Sequence, residues 1–164
     1  MSCNLPALPQ APGTYLLMFH RTGDGFVEVG RLGRLHLHPG WYAYVGSAFG
    51  GGGLRGRLSH HLRPLRSCHW HVDYLRRHAA LREVWVRPAA ERLEHRWAAA
   101  LGSLGPGGSP VPRFGCSDCG CVSHLIHFRQ YPGAQSIATG LQARLALEID
   151  AAGATGKPVS HCRA

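Results

Sequence analysis

Four side chains among the first 61 residues have types and spacing suited to handling charge: Tyr15 in Gly13-Thr14-Tyr15, Tyr44 in Tyr44-Val45-Gly46, then Arg57 and His61. A step of four residues returns a helix to the same face, so a helical stretch here projects a guanidinium beside an imidazole. Two phenols, a guanidinium and an imidazole suit a reaction that deprotonates water and stabilises charge on a phosphate. A second run, His69-Trp70-His71-Val72-Asp73, places two histidines and a carboxylate within five residues. His71 and Asp73 are candidate contacts to a metal or a phosphate, and Trp70 can stack on a base. The rival reading is a helix N-terminus with Trp70 and Leu75 packed inward.

A Mg²⁺-class ion wants carboxylate oxygen, and the chain has only nine acids. Asp24 and Glu28 sit in or beside a hairpin turn, Glu148 and Asp150 lie near the C-terminus, Glu83 falls in a predicted strand and Asp118 among cysteines. Asp73, Glu91 and Glu94 remain as candidate ligands. Cys116-x-x-Cys119-x-Cys121 with His124 offers four soft or borderline ligands for a tetrahedral zinc. The spacing is not a paired CxxC arrangement, however, and a short segment rarely wraps one ion alone. Buried thiols beside a tight Gly115 turn are therefore favoured over structural zinc at Cys116, Cys119, Cys121 and His124.

The elements that must position these groups follow from hydrophobic period and turn residues. Thr14 to Phe19 reads as a buried strand, Phe26 to Val29 as its hairpin partner across a turn-rich run, and Trp41 to Val45 as a third strand. If strands one and three are neighbours, Tyr15 and Tyr44 lie close on the sheet. Leu54, Leu58 and Leu62 mark a helix that Pro64 ends. A short helix over Val72 to His78, a strand over Leu81 to Val86, a helix from Ala90 to Gly102 and a last strand over Val122 to Phe128 complete the reading. The expected class is α/β (α+β), a small, mainly antiparallel sheet of three to five strands flanked by helices. Residues 1–12 read as an extended lead-in and 13–128 as the domain. Residues 129–164 read as a C-terminal appendage with a helix over 137–151, Ser136 as its N-cap, and a flexible tail.

The order of these motifs resembles the GIY-YIG nuclease superfamily. Gly13-Thr14-Tyr15 stands for GIY, Tyr44-Val45-Gly46 for YIG, and Arg57 and His61 follow on the next helix. The longer strings Tyr42 to Ala48, His69 to Leu75, Phe114 to Cys119 and Ser123-His124-Leu125 look like an uncharacterised branch of it, sometimes fused to an endonuclease-III-like DNA glycosylase. The resemblance covers roughly residues 13 to 128. It implies a GIY-YIG-like fold and metal-dependent hydrolysis of DNA phosphodiester bonds with one Mg²⁺ or Mn²⁺ ion, in repair or processing. By resemblance Glu94 holds the ion, with Glu91 the fallback, and Arg57 stabilises the phosphate. Tyr15 helps deprotonate water that Tyr44 or His61 orients. The chain departs from the superfamily in lacking a late asparagine: its only one is Asn4, so either another group such as His71 or Asp73 replaces it or the activity is altered. The alternative is a catalytically weak nucleic-acid-binding module of the same fold.

Composition agrees with an anionic partner. Eighteen basic residues against nine acids give +9 and a pI near 9.9, which points to DNA, or RNA, ahead of a membrane surface. All but one of those bases are arginine, which a GC-rich coding sequence would also produce. Location argues against that explanation being complete, because residues 54–97 carry ten arginines against four acids. The glycines at 50–53 lack the GK[ST] of a nucleotide loop and read as a turn that lets DNA backbone approach. With no apolar run of membrane-spanning length and no charged and apolar leader, a cytoplasmic protein with reduced cysteines is expected.

Overall fold

The computed structural model describes residues 8–149. In chain order these form β1 (Gly13–Arg21), β2 (Gly25–Val29), β3 (Gly33–Leu37), β4 (Gly40–Ala48), α1 (Gly53–Leu62), α2 (His71–Leu75), β5 (Ala80–Pro88), α3 (Glu94–Leu101), β6 (Ser109–Pro110), β7 (Leu125–Phe128), α4 (Ala134–Leu141) and β8 (Arg144–Glu148). Six strands make one antiparallel sheet in the order β6-β7-β4-β1-β5-β8. The α+β class is as expected, with one strand more than the upper expected count.

The centre of the sheet explains the sequence of β1. Thr14 to Phe19 runs apolar without alternation because both faces are covered. Tyr15, Leu17 and Phe19 pack with Leu54 and Leu58 of α1, Val72 and Leu75 of α2, and Val27, Val29 and Leu37. Leu16 and Met18 point the other way, into a layer with Trp97 and Leu101 of α3 and Ile137 and Leu141 of α4. Each side chain of a strand lies opposite its neighbour, so one strand seeds two cores.

Three sequence expectations change. The strand over 26–29 does not pair with β1; it joins β3, an element missed in the sequence, in a separate two-stranded sheet. The helix expected from Ala90 starts at Glu94, which leaves Glu91 outside it. The helix expected over 137–151 is α4 followed by β8: Gln142 turns left-handed at φ 50°, and Leu145 and Leu147 then pair with Trp85 and Val84 of β5. Its N-cap is Gly133 rather than Ser136. Residues 134–148 are therefore part of the domain rather than an appendage, since α4 packs on α3 and β8 is an edge strand. Residues 8–12 of the lead-in serve α1, whose unpaired N–H groups at Leu54 and Arg55 donate to the carbonyls of Ala11 and Pro9. The tail expected beyond 150 lies outside the described residues. Among the described residues no helix is long and apolar enough to cross a membrane.

Candidate functional site

The register of β1 against β4 sets Tyr15 opposite Gly46 and Tyr44 opposite Leu17, so both phenols share the α1 face of the sheet. Gly46 is required there by the tyrosine, since a Cβ on it would come 2.3 Å from the Tyr15 ring and hydroxyl. The hydroxyl reaches α1, where it meets His61 Nε2 at 2.9 Å and accepts from Arg57 Nε at 3.4 Å. The Arg57 guanidinium lies 3.9 Å above the Trp70 ring, a cation–π contact that fixes its direction.

Arg57 opens onto a cleft of about 480 Å³ at the end of β4. Tyr44, His71 and Glu94 line it with Arg57, and so do His69, Arg92 and Asp118. Glu94 arrives there because the Leu93 N–H donates to Thr14 Oγ1 at 3.2 Å, anchoring the start of α3 to β1. Glu94 is the first residue of that helix, with its side chain 16% exposed. A carboxylate in this position also faces the positive end of the helix dipole. Glu91, the fallback ligand, is exposed and pairs with Arg96 at 3.2 Å. Arg92 and Asp118 were missed as site residues. They sit in irregular segments where no period marks a facing direction.

Tyr15 is 0% and His61 1% exposed, so this pair lies behind Arg57 rather than in the open cleft. Burial raises the Tyr15 phenol above its ordinary value despite the opposing pull of Arg57, and burial raises Tyr44 strongly. The nearby cations do not, in the resting site, make either tyrosine acidic. Burial, followed by Arg57 and Arg76, lowers His61 to about 3. A neutral His61 thus accepts the Tyr15 proton at Nε2, leaving a hydrogen on Nδ1, which has no hydrogen-bond partner among the described residues.

That buried neutral imidazole makes acid destabilising. The unfolded chain binds a proton near pH 6.5 while the folded one resists down to about 3, so stability is intact above 6.5 and falls as pH drops between those values. The expected loss from pH 7 to pH 4 is about 3 kcal/mol. Urea unfolding at both pH values checks it: His61→Gln should flatten the slope, and an unchanged slope refutes the assignment.

Asp73, a candidate ligand, is instead structural. It is fully buried; Oδ2 accepts the backbone N–H groups of His69 and Trp70 at 2.9 and 3.0 Å, and Oδ1 lies 3.5 Å from Arg76. Burial opposes its charge, but these partners more than offset that and hold the carboxyl below its usual range. Asp73→Ala orphans two N–H groups and frees a partly buried arginine, for an expected loss of about 3 kcal/mol. A denaturation midpoint matching wild type would show that the carboxylate does not hold this turn.

The helix-N-terminus reading of 69–73 thus applies to Asp73, whereas His71 does face the cleft. Its Nδ1 accepts the Gly115 N–H at 3.0 Å, which leaves Nε2–H as a donor. Gly115 adopts φ 74° with Tyr44 and His124 within 3.2 Å of where a Cβ would stand. Only glycine suits that turn.

The cysteine expectation also changes. The Cys116 thiol donates to the Phe114 carbonyl at 3.3 Å, and burial, followed by the neighbouring Cys119, pushes it up to about 11. Cys119, Cys121 and His124 gather instead with His95 of α3.

The family described as Domain of unknown function DUF123 matches residues 14–146, from β1 into β8. No curated protein and no solved structure matches the chain.

Proposed function

The chain belongs to the DUF123 family, and from the cleft of its domain we propose a metal-dependent DNA endonuclease of GIY-YIG type, acting in the cytoplasm on repair or processing intermediates. The observation that carries this is the meeting of Arg57, Tyr44, His71 and Glu94 in one cleft, with Tyr15 bonded to Arg57 from behind. Mg²⁺ keeps most of its waters and asks for one or two carboxylates plus phosphate oxygen, which is the donor set that Glu94 and Asp118 offer on the cleft wall. Glu94 would hold the ion. Bound there, Mg²⁺ or Mn²⁺ supplies an acidified water and neutralises charge on the leaving oxygen.

The protein's own part is positioning and charge. Arg57, aimed by Trp70 and Tyr15, donates to the phosphate oxygens as negative charge builds on them. His71 Nε2–H adds a neutral donor to the same cleft, a role that the resemblance would give to an asparagine. Tyr15, hydrogen-bonded to His61 Nε2 and accepting from Arg57 Nε, holds the guanidinium in place from behind. The two arginines that line the cleft, Arg57 and Arg92, draw the DNA backbone in.

One observation favours a second reading, a DNA- or RNA-binding module with little catalysis: both tyrosines are buried and pushed up, so neither is a ready base. Incubation with branched, nicked and abasic DNA, with Mg²⁺ or Mn²⁺, separates the two. Cleavage that Arg57→Ala and Glu94→Ala abolish is the expected result. Binding without cleavage on every substrate selects the module.

A further inference from the structure

We infer that His95, Cys119, Cys121 and His124 form a structural zinc site that ties the cysteine loop to the start of α3. One ligand atom from each lies within 4.8 Å of all the others, and Cys119 Sγ is 3.5 Å from His124 Nε2. Zinc bonds of about 2.0–2.3 Å to nitrogen and sulfur place tetrahedral ligands about 3.3–3.8 Å apart, so small side-chain rotations close the set. Two thiols and two imidazoles are the ligand class zinc selects over Mg²⁺ or Ca²⁺. Four protein ligands leave no open position, which makes the ion structural rather than catalytic.

The surroundings show why an ion belongs there. Among the described residues, the loop tip from Cys116 to Cys121 has one backbone hydrogen bond of its own, Cys119 N–H to the Cys116 carbonyl at 3.4 Å. None of its thiols is buried. His124 is fixed from both sides, its N–H on the Phe114 carbonyl and its carbonyl on the Val45 N–H, and His95 is held by α3. Two ligands are thus preplaced, His95 by α3 and His124 by its backbone hydrogen bonds, and two come from a loop with little else to hold it. The sequence spacing could not reveal this, because the fourth ligand is His95, 24 residues before Cys119, rather than Cys116.

Binding releases the two thiol protons to solvent, and two thiolates balance the dication. The site adds no net charge to the cleft. It fixes the wall that carries Asp118, and it sits beside Glu94, whose carboxylate is 3.7 Å from His95.

Metal analysis of the full chain, purified without chelator and then titrated with Zn²⁺ against a chromophoric chelator, tests the site. One zinc per chain is expected, retained in Cys116→Ser and in Glu94→Gln and lost in the Cys119→Ser/Cys121→Ser double variant. His95→Ala, at an exposed side chain whose loss should leave the fold intact by circular dichroism, should weaken zinc affinity at least tenfold. Replacement by Co²⁺ should give the visible bands of a tetrahedral thiolate site. No zinc in wild type, even after titration, overturns the proposal, and so does zinc retained in the double variant. DNA cleavage is read separately: zinc without cleavage keeps this site and removes the nuclease reading, and cleavage without zinc does the reverse.

Discussion

Glu94→Gln is expected to lower Mg²⁺-dependent DNA cleavage about 10³-fold, the several kcal/mol that a metal's charge contributes to such a transition state. Glutamine keeps the size and the hydrogen-bonding oxygen of the side chain while removing the charge that would hold the ion. The fold should tolerate it. Glu94 is the first residue of α3 and takes part in no described hydrogen bond, so the cost is a helix-terminus charge effect of about 0.3–1 kcal/mol. Raising the Mn²⁺ concentration should recover part of the rate, because Asp118 remains on the cleft wall. Initial rates on a nicked duplex, with the melting temperature of each variant alongside, check this. A rate within about twofold of wild type at equal ion concentration would remove Glu94 from the metal site.

Arg57→Ala should cost about 10²–10³-fold in the same assay, the usual loss for one donor aimed at developing oxyanion charge. Part of that comes through geometry, since Arg57 is braced by Trp70 on its face and by the Tyr15 oxygen at Nε. Lysine keeps the charge but has neither the planar fork nor the Nε donor, so Arg57→Lys should recover only a small part of the rate. Binding should respond differently. One phosphate contact fewer lowers the slope of log affinity against log salt by about 1 while leaving the cleft able to hold DNA. Tyr15 remains bonded to His61 in both variants, so the core beneath should survive. Undiminished cleavage by Arg57→Ala at saturating DNA would refute the role.

The elements that the sequence disclosed were those whose burial leaves a pattern. β1 reads as a continuous apolar run because two cores claim it, and α1 reads from Leu54, Leu58 and Leu62 because one face is buried. The region after Ile137 misled for a physical reason. Leu141, Leu145 and Ile149 recur every four residues, a step that fits a helix and also lands on alternate positions of a strand, and only the left-handed turn at Gln142 decides between them. β3 escaped notice because Arg34 and His36 face out beside Leu35 and Leu37, and the turn after β1 drew β2 toward the wrong partner.

The same division runs through the site. Residue type and local spacing determined that Arg57 and His61 would share one face of α1, because an i,i+4 step is short-range geometry. Tyr15 and Tyr44 come beside them only once β1 and β4 pair, which the tertiary structure supplies. Only the tertiary structure decided which groups face open space. It buried Tyr15 and His61 behind Arg57, made Asp73 a backbone acceptor, and chose Glu94 over Glu91 by starting α3 where Thr14 anchors it. It also exchanged Cys116 for His95 in the thiol cluster. Those outcomes depend on contacts between segments far apart in the chain, and the position of β4 between β1 and β7 brings them together.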